Sequence, residues 1–154
     1  MAKKTYNEKL NTAGDLPKIT DLADHPKFLT RYKASKMLVA APLQYSEIME
    51  RVPLGKVITV ERIREYLAAQ VGADVTCPLT AGIFTNICAN AAAERSDVGF
   101  PWWRTLRTKG ELNEKFPGGT DEHRIRLEME GFEIVKRGKK YFVKDYEDKQ
   151  WEIE

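Results

Sequence analysis

Pro78 opens the longest helical stretch in this chain, from Leu79 to about Arg95, and a shorter helical pattern ends just ahead of it at Gly72. Proline suits a first helical turn because the N–H it lacks would have no partner there. In the leading helix Val60, Ile63, Tyr66 and Leu67 recur on one face. Thr59 stands at its N-cap, and Glu61 in the first turn complements the helix dipole. In the second helix Ile83, Phe84, Ile87 and Ala91 are expected to line the inner face. Two helices joined by a short turn read as a helix-turn-helix, whose second helix places its N-terminal residues nearest the bases in DNA-binding examples. Here those are Leu79, Thr80, Ala81 and Gly82. From the pattern alone, an ordinary helical hairpin inside a small bundle is the better reading.

The flanks add short elements. Tyr45, Ile48, Met49 and Val52 repeat at helical spacing after Pro42, and Pro53 ends that helix. Leu54-Gly55 turns the chain into the short β-branched pair Val57-Ile58. Ser96 to Phe100 is a loop, and Trp102 to Leu106 is expected to be extended or irregular. Between Thr120 and Gly131 two signals compete. Asp121 and Glu122 in a first turn, the i,i+4 pairs Arg124–Glu128 and Arg126–Glu130, and Gly131 as a cap argue for a helix. Alternation of Ile125, Leu127 and Met129 argues for a strand. Phe132–Val135 and Tyr141–Val143 read as two strands around the basic turn 136–140.

At 154 residues and 42% apolar content, the chain is expected to form one domain with extensions. The division is a basic N-terminal extension over 1–36, a central domain over 37–131, and a β-hairpin with an acidic tail over 132–154. The formal net charge of +2 does not by itself declare nucleic-acid binding. Residues 1–36 hold eight Lys and Arg against four Asp and Glu. Such an arm either supplies phosphate contacts or is a solvated tail, and charge does not choose. No apolar run approaches the ~20 residues of a membrane span, and Met1-Ala2-Lys3-Lys4 leads into polar sequence, so a cytoplasmic protein with no membrane partner is expected. Cys77 and Cys88 fit that compartment as reduced thiols, with His25 and His123 too remote in sequence to suggest a metal site or an activating base.

The most specific segment is Phe100-Pro101-Trp102-Trp103-Arg104-Thr105. It follows Val52-Pro53-Leu54-Gly55-Lys56-Val57-Ile58-Thr59 and precedes Phe116-Pro117-Gly118-Gly119 and Leu127-Glu128-Met129-Glu130-Gly131. In this order, over roughly residues 42–132, the chain resembles the DNA-binding domain of the 6-O-alkylguanine-DNA alkyltransferases. That family carries a Pro-Cys-His-Arg motif whose cysteine accepts the alkyl group. Here Trp102 stands for the cysteine and Trp103 for the histidine, as in the alkyltransferase-like proteins, which have tryptophan in place of the cysteine and bind without repairing. The resemblance implies a mainly α fold with a small β component, a winged-helix-like helix-turn-helix domain with a C-terminal β-hairpin. It also decides residues 120–130 in favour of a helix.

Carried over position by position, the family's relay of cysteine, histidine and glutamate falls on Trp102, Trp103 and Glu130. Indole is neither a nucleophile nor a base at neutral pH, so alkyl transfer by the family's route is excluded at this slot and no enzyme is expected. Arg104 keeps the motif's arginine, and Asn90 matches the asparagine closing the recognition helix. Several positions depart. The family's nucleotide-rotating tyrosine is Val60, its arginine finger falls on Thr80 or Ala81, and its pocket tyrosine and serine are Phe116 and Pro117. Ile83 and Phe84 replace small glycines, and the loop from Asn90 to Pro101 is longer. The expected pocket is Trp102, Trp103, Asn90, Phe116 and Glu130, with Trp102 as its wall and Trp103 facing the core. The expected DNA-facing set is Thr80, Ala81, Thr85, Arg104, Arg107 and Lys109. Neither a cofactor nor a metal is implied. The expected partner is double-stranded DNA, alkylated or distorted, with repair proteins beyond it. The alternative is a protein-interaction or scaffold module on the same fold.

Overall fold

A computed structural model of the chain describes residues 3–153, apart from the Phe28 side chain. The N-terminal region folds into regular elements: α1 (Tyr6–Leu10), β1 (Lys18–Asp21), α2 (Pro26–Tyr32) and β2 (Lys36–Val39). β1 pairs antiparallel with β2, from Lys18 opposite Val39 to Asp21 opposite Lys36. β2 continues in parallel to β4 (Val75–Thr76). The Asp74 carboxylate closes this junction, accepting from the Ser35 and Lys36 amides and the Ser35 hydroxyl, and these bonds lower its pKa. The region before β2 thus forms one layer with the turn of the helix pair.

Three helices make the centre: α3 (Pro42–Arg51), α4 (Val60–Val71) and α5 (Pro78–Glu94). The Thr59 side chain caps α4 by accepting from the Arg62 amide, and Gly72 ends it in the left-handed region at φ 68°. Of the four residues expected on the inner face of α5, Ala91 is buried and Phe84 and Ile87 pack against the core, but Ile83 does not. Ala81, Thr85, Cys88, Ala89, Ala91 and Ala92 are buried, whereas Ile83 is 48% and Leu79 72% exposed. The buried face is completed by small residues, which a periodicity of large apolar side chains does not mark. Small side chains let α3 and α1 approach closely. α1 docks through Leu10 and through Asn7, whose amide donates to Glu94 and to the Ala91 carbonyl.

β3 (Ile58–Thr59) pairs in parallel with β5 (Thr105–Leu106). α6 (Gly119–Met129) confirms the helix over the alternating pattern, with His123 and Leu127 buried and Met129 81% exposed. Of its expected ion pairs, Arg124–Glu128 forms at 3.6 Å, but Arg126 pairs with Glu122 at 2.8 Å instead of Glu130. The hairpin is β6 (Ile134–Arg137) and β7 (Lys140–Val143), so its strands reach further into the basic turn than their β-branched content suggested. The tail adds α7 (Tyr146–Lys149) and returns to the core, where the Trp151 amide donates to the Val57 carbonyl at 2.7 Å.

Two apolar clusters result. The larger joins α3, α4 and α5 with Phe100, Trp102 and Phe116; the smaller joins Val57, Leu106, Leu112, Leu127, Phe132 and Val143. Trp103 packs against both. The protein is mainly helical with small sheets, built on a helix-turn-helix of α4 and α5. Among the described residues, no helix is long and apolar enough to cross a membrane.

Candidate nucleic-acid interface

Trp102 to Arg104 forms a single 3-10 turn rather than an extended strand. The two indoles consequently do not point to opposite sides. They meet edge to face, with ring centres 5.5 Å apart and planes at 86°. Trp102 makes a second edge contact with Phe116 at 5.9 Å, and His123 lies 5.9 Å away. Edge-to-face pairs align the positive ring edge with the negative face of the neighbour. Trp102 is only 4% exposed. Its remaining surface borders a cavity of about 280 Å³ between the end of α5, at Ala92, and the Pro117-Gly118 loop. The guanidinium of Arg126 roofs the tryptophans, 5.2 Å from the Trp102 ring and 4.9 Å from that of Trp103.

The other expected pocket residues surround this wall without lining the cavity. Asn90 donates to the Lys115 carbonyl at 2.9 Å and so pins the loop that carries Phe116. Phe116 is buried beneath Trp102. The Nε1 of Trp103 is buried with no hydrogen-bond partner among the described residues. Glu130 receives both Nε and NH2 of Arg104, at 3.0 and 2.8 Å. Arg104 NH1 donates to the Val52 carbonyl at 2.8 Å. With all three guanidinium nitrogens engaged and side-chain exposure of 14%, Arg104 fastens α6 to the end of α3 and does not face outward as expected.

Sequence reasoning misses His123, because its partners are backbone groups far along the chain. Its Nδ1 accepts from the Asn113 amide at 3.1 Å, which leaves the proton on Nε2 to donate to the Trp103 carbonyl at 2.8 Å. Burial lowers its pKa to about 4, outweighing those two bonds. It is a neutral strut under the aromatic cluster, with neither nitrogen free for proton transfer.

The expected DNA-facing set divides. Ala81 and Thr85 are fully buried, and the Thr85 hydroxyl donates to the Ala81 carbonyl at 2.9 Å, so neither faces outward as expected, although Thr85 underlies the groove beside α5. Thr80 is half-buried at the start of α5. Arg107 is exposed and lines a groove of about 410 Å³ with Arg64, Leu79, Ile83, Asn86 and Lys115. Glu61 and Glu111 also lie there and temper its positive charge. Lys109, left-handed at φ 65°, turns instead toward Arg137 and Phe142 of the hairpin.

The thiols do not offer a replacement nucleophile in this region. Burial pushes Cys88 up to about 12, and its Sγ lies 3.3 Å from the Pro42 carbonyl. Cys77 is half-buried at the N-cap of α5. Among the described residues, no three His, Cys, Asp or Glu side chains converge as metal ligands.

This arrangement is a helix-turn-helix fold with an aromatic wall at the foot of its second helix. It is the fold of S. pombe Atl1, solved in complex with damaged DNA containing O6-carboxymethylguanine: TM-score 0.51, 22% identity, covering 73% of this chain and 94% of the other. A structure of S. pombe ATL in complex with DNA aligns at TM-score 0.49 and 20% identity over the same shares. No protein-family model matches the chain, and no curated protein matches it.

Proposed function

We propose that this is a non-catalytic DNA-binding protein that recognises alkylated or distorted duplex DNA in the reducing cytoplasm and marks it for repair proteins. The observation that carries the reading is a fold shared with a protein solved on O6-alkylated DNA, and Trp102 gives it local content. By the sequence resemblance this indole stands in the slot of the alkyl acceptor, and it borders a cavity at the end of the second helix. A planar wall of this kind stacks on a base that has left the duplex without attacking it. Arg107, Arg64 and Lys115 along the groove supply phosphate contacts.

The test is fluorescence anisotropy with matched duplexes, unmodified and carrying 6-O-methylguanine, at two salt concentrations. Stacking of one base is worth about 1–3 kcal/mol, so the modified duplex should bind roughly ten- to a hundredfold more tightly. Equal affinity for the two duplexes overturns lesion recognition.

One observation favours a second reading, a protein-interaction module. α5 holds no Lys or Arg and presents Leu79 and Ile83 to solvent at 72% and 48% exposure. Failure to bind either duplex at low salt would support it.

A further inference from the structure

The turn of the C-terminal hairpin, Lys136-Arg137-Gly138-Lys139-Lys140, is the densest run of positive charge in the chain. The proposed lesion site uses none of it. Nor is the hairpin a loose arm. The Leu112 amide donates to the Tyr141 carbonyl at 2.9 Å, and Glu111 forms an antiparallel bridge with Phe142. β7 is thereby attached to the segment whose other end carries Arg107 and edges the groove beside the start of α5.

Charges along this edge are divided between structure and surface. The Glu111 carboxylate, 15% exposed, lies 3.8 Å from Arg107 and 3.8 Å from Lys140, and so ties one cation of the groove to one of the hairpin. Lys109, Lys136, Arg137 and Lys139 are exposed, and among the described residues no carboxylate reaches ion-pair distance of them. Lys136 lies 5.7 Å from the Tyr141 ring centre and Arg137 lies 5.5 Å from that of Phe142. These are contacts of the charged heads with the ring faces, which orient the cations while leaving both residues exposed. Asp145, Glu147 and Asp148 line the cleft that Lys109 and Arg137 share on one flank.

We infer that the hairpin is a second phosphate-binding wing, which grips duplex backbone beside the segment engaged by the helix pair, whatever its sequence. This rests on the DNA-binding part of the proposed function and not on lesion recognition. Three features favour DNA backbone. The cations are separate point charges on a narrow two-stranded tip, suited to successive phosphates. Glu111, between Arg107 and Lys140, links the cation of the groove to those of the hairpin along one edge. The tip also carries no apolar residue with which to enter a lipid surface.

The test uses the full chain with Lys136→Gln, Arg137→Gln and Lys139→Gln combined, leaving Lys140 with Glu111. Binding to an unmodified duplex is measured across a salt series. Every phosphate that the variant no longer neutralises takes about 0.9 off the slope of log affinity against log salt, so the slope should flatten by roughly two to three units. The preference for the modified duplex should stay as in wild type. Lys139→Glu alone, at an exposed turn position, should flatten it by roughly one unit and guards against misfolding of the triple variant. An unchanged slope in variants that melt like wild type overturns the inference, as does wild-type protein that binds no unmodified duplex at low salt. Lesion recognition fails by a different result, equal wild-type affinity for the two duplexes, which leaves the slopes readable.

Discussion

His123 and Trp102 each turn burial into a measurable effect. With a folded pKa of about 4 against an ordinary 6.5, His123 stays neutral in the fold while the unfolded chain takes up a proton as pH falls. Its contribution is complete above the unfolded pKa and is lost progressively from about pH 6.5 down to about pH 4. Between pH 7 and pH 5 this removes about 2 kcal/mol of stability. Urea unfolding at the two pH values should show that loss, and His123→Gln should be less stable at pH 7 but nearly free of this dependence. Trp102 is 4% exposed and meets both Trp103 and Phe116 edge to face. Trp102→Ala should therefore cost about 3–5 kcal/mol, read as a melting temperature roughly 10 °C or more below wild type. Trp102→Phe, which keeps an aromatic face, should melt close to wild type and allow lesion preference to be measured on a folded protein. That Trp102 and Trp103 form an aromatic focus was legible in the sequence, because adjacent tryptophans after a proline are a local signature. The His123 role was not, because its hydrogen bonds reach ten and twenty residues away to backbone groups that carry no sequence signal.

At the scale of elements, the groove between α5 and the loop after β5 separates the expected basic set. Arg107 is the member facing the groove, and its side chain is 50% exposed and only loosely paired with Glu111 at 3.8 Å. Arg107→Ala should leave the fold intact, weaken binding to modified and unmodified duplexes by the same factor, and flatten the salt slope by about one unit. A salt series on this variant checks it. Elements with caps were legible: Thr59, Gly72 and Pro78 bracket α4 and α5 as the chain suggested, because a cap is a local chemical requirement. The phase of α5 was legible only in part: Phe84, Ile87 and Ala91 turn inward as expected, but Ile83 does not, and the rest of the buried face is made of small residues that carry little periodic signal. The short strands escaped for another reason. β1 and β4 acquire their character only by pairing with β2, a non-local event that leaves no period in so few residues.

For the molecule as a whole, the decisive question is whether any part of it can accept an alkyl group. Acceptance needs a thiolate, a base to make it, and access to the damaged base. The slot opposite the cavity is indole. The buried imidazole is neutral, and both its nitrogens are engaged by backbone. Glu130 is held in a fork by Arg104 and has no imidazole to orient. Cys88 is enclosed between α5 and the start of α3, with its thiol pushed up to about 12, so thiolate is absent at neutral pH. Cys77 sits at the opposite end of α5 from Ala92 and the Trp102 cavity. A helix of n residues is about 1.5n Å long, which puts the half-buried thiol roughly 20 Å from that cavity. Incubation with a duplex containing 6-O-methylguanine, followed by intact-mass measurement, should therefore show an unchanged protein mass and an unrepaired base. A stoichiometric gain of one methyl group would contradict this, and peptide mapping of the modified residue would then locate the acceptor.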